Sequence, residues 1–214
     1  MNGAAGYARN TFFHDKAQVE IGLAVKADAV FEGLPLVRQL LGDQNEIIMA
    51  GGVGFPSGYA KTYIKVIETR DLLADGCREM DMVANIGYLK SGRFEDALDD
   101  IKAVLEVLDD IPLKVIIEVP HLTNDEIKRA CDIVARSGAA YIKTGTGWAL
   151  SPTTLDHIHV IKSQIGDSIK IKAAGGIRDL GTLLAMKEAG VSRFGIGKNP
   201  AMKIMKECEI MQEE

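Results

Sequence analysis

An α/β barrel of parallel strands, of the TIM (β/α)8 type, is the fold class this sequence predicts, and three features predict it. From about residue 45, short apolar runs alternate with amphipathic stretches, roughly every 25 to 30 residues. The runs are rich in Val and Ile and bounded by Gly or Pro, as strands buried on both faces are. No GxGxxG fingerprint opens the first unit, and glycines gather after the last runs, which favours a barrel over a doubly wound sheet. The 214 residues fit one domain, residues 1–214, and a lean barrel, since such barrels need about 200 to 250.

The elements follow in order. Residues 1–18 read poorly as a strand, so the first βα unit is expected to be truncated or atypical. EIGLAVKADAV (20–30) supplies a strand and LPLVRQLLG (34–42) a helix. The next strand run is EIIMAGGVGF (46–55), and the helix over 59–75 carries Ile64, Val66, Ile67, Leu72 and Leu73 before Gly76 stops it. After MDMVANIG (80–87) comes a helix over 94–109, with Phe94, Leu98, Ile101, Leu105 and Leu108 spaced three and four apart on one face. LKVIIEV (113–119) precedes a helix that opens on a Thr123/Glu126 capping box and closes at Gly138. AAYIKTGTG (139–147), a helix over 153–165, SIKIKAAGG (168–176), a helix over 179–189 stopped by Gly190, and SRFGIG (192–197) complete the series. Strand, helix, strand repeated in this way demands parallel pairing, because each helix returns the chain to the same sheet edge.

Composition excludes several classes of function. The chain is 47% hydrophobic and 26% charged, with a formal net charge of −5 and a pI near 5.5. No basic field draws it to nucleic acid or to an anionic membrane. No window reaches the roughly 18 apolar residues of a membrane span. The start, MNGAAGYARNTFFHDKAQ, lacks a basic-then-apolar signal pattern, so a cytoplasmic location is expected. Cys77, Cys131 and Cys208 lie far apart in helical patterns, without CxxC spacing, and read as small buried hydrophobes. His14, His121, His157 and His159 show no ligand spacing, and no metal is expected.

Functional residues in parallel α/β folds sit at the carboxyl ends of strands. Asp81, Lys143 and Lys172 are charges inside apolar runs or at their ends, where a charge is costly without a partner or a purpose. A barrel-lining Lys143 is partly desolvated, which lowers its pKa and frees a neutral amine to attack a carbonyl. Lys172, one strand later, would sit beside it as an ammonium and depress that pKa further. Asp81 could offset the surplus charge and relay protons through a water. An ion pair within the barrel, without chemistry, would explain the same residues. Lys170, two residues before Lys172, shares its strand face, and spacing alone does not choose between them.

Glycines carry the second signal. GTGW (145–148), AAGGIR (173–178) and FGIGKN (194–199) each follow a strand, and the last two precede helices. Backbone amides approach an anion closely where no Cβ intervenes, and a helix start adds a favourable dipole. The clusters read as a phosphate cradle, with tight βα turns as the plainer explanation.

At these residues the chain resembles the deoxyribose-phosphate aldolase family. The matching stretches are 52–92, LKVIIEV, YIKTGTGW (141–148), IKAAGGIRD (171–179) and RFGIG (193–197), over about 150 residues in the family's order. The resemblance implies a class I aldolase, needing no metal or organic cofactor, that reversibly cleaves 2-deoxyribose 5-phosphate to glyceraldehyde 3-phosphate and acetaldehyde. It implies Lys143 as the Schiff-base lysine, Lys172 rather than Lys170 as its perturbing neighbour, and Asp81 as the proton relay. It also implies phosphate binding by amides at Gly147, Gly175, Gly176, Gly195 and Gly197. Residues 1–20 lack the family's usual Asp–His–Thr-like strand motif, and VFEGLP (30–35) lacks a cysteine often found there. Trp148 stands where some members carry a basic residue, and Lys198 where others carry a serine, so Lys198 is expected to restore positive charge near the phosphate. A second class I aldolase or transaldolase specificity, acting on another phosphorylated sugar, and an inactive aldolase-like protein are the alternatives. A homodimer would cover an edge left by a missing strand.

Overall fold

In the computed structural model, residue 48 and residues 50–213 are described. The strand at 20–30, the helix at 34–42 and the atypical first unit therefore lie outside the described residues. Within them, six strands run β1 (Ala50–Val53), β2 (Glu79–Val83), β3 (Leu113–Ile116), β4 (Tyr141–Lys143), β5 (Lys170–Ala174) and β6 (Arg193–Gly195). They pair in that order, every pair parallel. Helices α1 (Thr62–Ala74), α3 (Phe94–Leu105), α4 (Asn124–Ser137), α5 (Leu155–Ile165) and α6 (Leu180–Glu188) make the crossovers, and α7 (Lys198–Glu213) follows β6.

The sheet is strongly curled. Strands lie about 4.8 Å apart, so β2 and β6 would be roughly 19 Å apart in a flat sheet. Yet Arg193 on β6 reaches Glu79 on β2 at 2.6 Å, and Lys172 on β5 reaches Asp81 on β2 at 3.1 Å. Only a sheet rolled into a barrel arc brings those side chains together. The expected TIM-type architecture is thus present, as an arc of six strands among the described residues.

The hydrophobic core lies between this arc and its helices. Val115, Ile117, Ile142, Ile171 and Phe194 from the sheet side are buried against Ile127, Val134, Ile161 and Leu183 from the helices. Local chemistry fixes the ends. Thr123 accepts from the Glu126 amide while the Glu126 carboxylate accepts from the Thr123 amide, and Gly138 closes α4 with φ 89°. Thr154 and His157 form the equivalent reciprocal cap on α5, which gives His157 a structural task.

The structure departs from the sequence reading in several places. The helices expected over 59–75 and 94–109 are shorter, at Thr62–Ala74 and Phe94–Leu105. On α1 the buried face carries Lys65, Thr69 and Leu72, whereas Ile64 and Ile67 of the expected apolar set are 41% and 57% exposed. The reason is a buried ion pair: Lys65 Nζ meets Asp100 of α3 at 2.6 Å, so this interface is organised by charge. A short helix α2 (Ile86–Lys90), capped by Asn85, and a 3-10 turn at Val119–His121 were not anticipated. Cys77 lies just past α1, outside any helix, but is buried, as are Cys131 and Cys208.

Candidate active site

Three strands converge their polar side chains at the carboxyl end of the arc. Lys143 closes β4, and Lys172 is its register partner on β5. Asp81 on β2 touches both: its Oδ2 lies 3.1 Å from Lys143 Nζ and 3.1 Å from Lys172 Nζ. The three expected residues are therefore one contiguous group. Lys170 is exposed at the other end of β5, its Nζ 5.6 Å from the Tyr141 ring centroid, so Lys172 is the inward lysine.

Sequence reasoning missed the rest of the group. Lys114 on β3, the register partner of Asp81, is fully buried, with Nζ 2.7 Å from Glu79 Oε2 and 3.7 Å from Asp81 Oδ1. Neither approach has hydrogen-bond geometry. Arg193 takes the other Glu79 oxygen. The signal was there: Lys114 is a charge inside LKVIIEV, the same anomaly that singled out the other three.

The electrostatics follow from this crowding. Among the described residues, Lys114, Lys143 and Lys172 gather around Asp81 and Glu79, and Arg193 also meets Glu79. Burial disfavours the Lys143 ammonium; Asp81 offsets part of that cost, while Lys172 and Lys114 repel it, so its pKa falls from 10.5 to about 8. Burial alone would raise the Asp81 carboxyl, but Lys143, Lys172 and Lys114 together hold it well below the usual carboxylate range. Lys114 is lowered, chiefly by burial, despite Asp81 and Glu79. The arrangement can supply a nucleophilic amine near neutral pH, an anchored carboxylate beside it and adjacent cations.

Beside this group, a cleft of about 330 Å3 opens between the loop after β4 and the end of β5. Gly147, Gly175 and Gly176 line it, with Arg178, Thr153 and Glu118. The three glycines hold φ of 84°, 92° and 91°, and a Cβ on Gly176 would collide with Pro152. Thr144 and Thr153 tie the loop to β5: their hydroxyls are 2.9 Å apart and each lies within hydrogen-bond reach of the Ala174 carbonyl. Glu118, buried and left-handed with φ 53°, accepts from the Thr146 amide at 3.2 Å. Arg178 is the cation that the glycine argument overlooked. Gly195, Gly197 and Lys198 lie outside this lining. Gly195 instead allows β6 to pack closely on β5, since a Cβ there would stand 2.9 Å from the Ala174 Cβ. Among the described residues, no group of three or more His, Cys, Asp or Glu is placed to hold a metal ion.

A family model described as DeoC/LacD family aldolase matches residues 11–198. The chain belongs to the DeoC/LacD aldolase family. It is a lyase of that family, and its relatives agree. It is 42% identical over 203 residues to the deoxyribose-phosphate aldolase of Rhizobium meliloti (strain 1021), covering 92% of this chain and 82% of that one. The solved aldolase QR15 superposes with a TM-score of 0.78 at 34% identity, covering 86% of this chain and 80% of the other. A tetrameric deoxyribose phosphate aldolase from Aeropyrum pernix shares the fold, with a TM-score of 0.73 at 20% identity over 89% of this chain and 88% of that one. No helix among the described residues is long and apolar enough to cross a membrane.

Proposed function

We propose that this aldolase cleaves 2-deoxyribose 5-phosphate reversibly to glyceraldehyde 3-phosphate and acetaldehyde, with Lys143 as the Schiff-base nucleophile. The observation that carries the proposal is Lys143 Nζ, buried beside Lys172 and 3.1 Å from Asp81. At neutral pH a useful fraction of this amine is unprotonated, and it attacks the C1 aldehyde of the open-chain sugar. Loss of water gives an iminium. Removal of the C3 hydroxyl proton breaks the C2–C3 bond, releasing glyceraldehyde 3-phosphate, and the electron pair is taken up as an enamine. Protonation at C2 regenerates an iminium, and water releases acetaldehyde and the amine. Asp81, kept ionised by the lysines around it, would orient the water through which these steps exchange protons. Lys172 also keeps the site cationic, which favours a neutral Lys143. Because the iminium is itself the electron sink, the reaction calls for no metal or organic cofactor.

The phosphate would rest on amides of Gly147, Gly175 and Gly176, paired with the Arg178 guanidinium. Gly195 at the end of β6 and Gly197 just beyond it lie outside the cleft lining and would reach the phosphate only at its margin, and Lys198, at the start of α7, would act as a more distant positive charge. A homo-oligomer in the cytoplasm, at minimum a dimer, is the form we propose for the working enzyme; the tetrameric Aeropyrum relative supports assembly. The test is an assay of deoxyribose 5-phosphate against a panel of other sugar phosphates. Highest kcat/KM on deoxyribose 5-phosphate is expected, and preference for another phosphorylated sugar would replace this substrate with that one.

A further inference from the structure

We propose that Phe55 and Trp148 form an aromatic gate over the barrel mouth that limits the size of the carbonyl donor bound at Lys143. Phe55 lies two residues beyond β1 and Trp148 five residues beyond β4. These strands are three apart, about 14 Å along a flat sheet. Their rings nonetheless meet edge to face, with centroids 6.1 Å apart at 85°. The two loops therefore arch inward over the ends of β2 and β3, the strands that carry Asp81 and Lys114.

Each ring is placed by local contacts. Phe55 folds back over Gly52, whose position for a Cβ is 3.4 Å from the Phe55 Cβ, and Gly52 is the register partner of Asp81. The Phe55 ring thus stands over the β1 side of the lysine–aspartate group. Trp148 comes from the opposite side, its amide donating to Thr146 Oγ1 at 3.1 Å. Thr146 is in turn held by Glu118. Trp148 is 57% exposed, as the outer face of a roof is. Its neighbour Gly147 lines the cleft on the β5 side, while Phe55 lines a second cavity, of about 780 Å3, with Ile64 and Ile67 of α1 on the β1 side, so the ring pair joins the borders of the two.

This inference rests on the aldolase reading above. With the imine on Lys143 and the phosphate in the cleft, the carbon chain leaves toward β5. The donor carbon, the two-carbon end that stays on Lys143, is then directed toward β1 and the rings. A methyl group added to the donor would meet the Phe55–Trp148 pair. A wall of this kind discriminates against one extra methylene by about tenfold or more.

The experiment runs the reaction in the synthetic direction, with glyceraldehyde 3-phosphate as acceptor and acetaldehyde or propanal as donor. The propanal-to-acetaldehyde ratio of kcat/KM should rise about tenfold in Trp148→Ala and in Phe55→Ala, and stay near the parent value in Trp148→Phe. The double variant should gain little over either single one, since each ring is held by the other. A ratio unchanged within twofold in Trp148→Ala, or an equal loss on both donors, overturns the gate. Should Phe55→Ala fail to fold, Trp148→Leu, altering an exposed residue, reads the same ratio. If the parent enzyme itself condenses no acetaldehyde, the Lys143 aldolase reading has failed, an outcome distinct from an active enzyme with an unmoved ratio.

Discussion

Two buried lysines in this molecule sit in opposite electrostatic settings. Lys65, between the sheet and α3, is wholly buried and matched: Asp100 lies 2.6 Å from its Nζ, the Val83 carbonyl 3.1 Å, and Asp100 also accepts from Thr62 Oγ1. Lys143, inside the barrel arc, shares Asp81 with two other lysines and stands next to a cleft. Both amines have lowered pKa values, and for both burial is the largest cause. A depressed lysine pKa therefore does not mark a catalyst by itself. What separates the two is the ratio of cations to carboxylates among the described residues: Lys65 is a closed pair with Asp100, whereas Lys143 shares Asp81 with two further lysines and lies two residues before Gly145 of the cleft lining.

The strongest way to break this comparison is to remove each amine in turn. Lys143→Met should lower kcat by about 10^4-fold or more, while the melting temperature holds or rises. The sign follows from the pKa: the folded value, about 8, lies below the unfolded 10.5, so charging Lys143 costs stability, fully below about pH 8 and fading as pH climbs toward 10.5. Lys65→Met should do the reverse. Stranding Asp100 without its cation costs about 3 to 5 kcal/mol, read as a large fall in denaturation midpoint, with kcat per folded molecule unchanged. Lys65→Met combined with Asp100→Leu should recover much of the loss.

How far this contrast was visible in the sequence depends on the residue. Alternation of apolar runs and helices suffices for a parallel barrel, and charges within β-runs identified Lys143, Lys172 and Asp81, because a buried charge contradicts its surroundings. Lys114 carried the same signal within LKVIIEV and was passed over. Lys65 carried none: it sits in an amphipathic helix where an exposed lysine is ordinary, and its burial depends on Asp100, thirty-five residues away. The exposed Ile64 and Ile67 misled for the same reason, since periodicity finds an apolar face but not the partner that decides which face is buried. Arg178 and Glu118 belong to loops, whose convergence on one cleft is a property of the closed sheet and not of local spacing.

Smaller effects sharpen the picture. Arg178→Ala should raise KM for the phosphorylated substrate by roughly tenfold or more, the value of a charge-assisted hydrogen bond, with little change for an unphosphorylated analogue. In the parent enzyme, kcat/KM should climb as pH rises through about 8, as Lys143 loses its proton. Lys172→Met removes a repelling cation and leaves Asp81 to Lys143 more fully, so that limb should move to higher pH. A limb that stays in place would show that Lys172 does not tune the amine. Lys198→Ala should have the smallest effect, a rise in KM of about threefold or less, because an exposed charge outside the cleft is screened by solvent; no change at all would remove Lys198 from the phosphate site.

The most direct measurement is borohydride reduction in the presence of acetaldehyde, followed by peptide mass mapping. An N-ethyl group confined to Lys143, lost in Lys143→Met and forming faster as pH rises through about 8, is the predicted result. Labelling of Lys172 or Lys114 in its place, or no labelling while the enzyme turns over deoxyribose 5-phosphate, would contradict it.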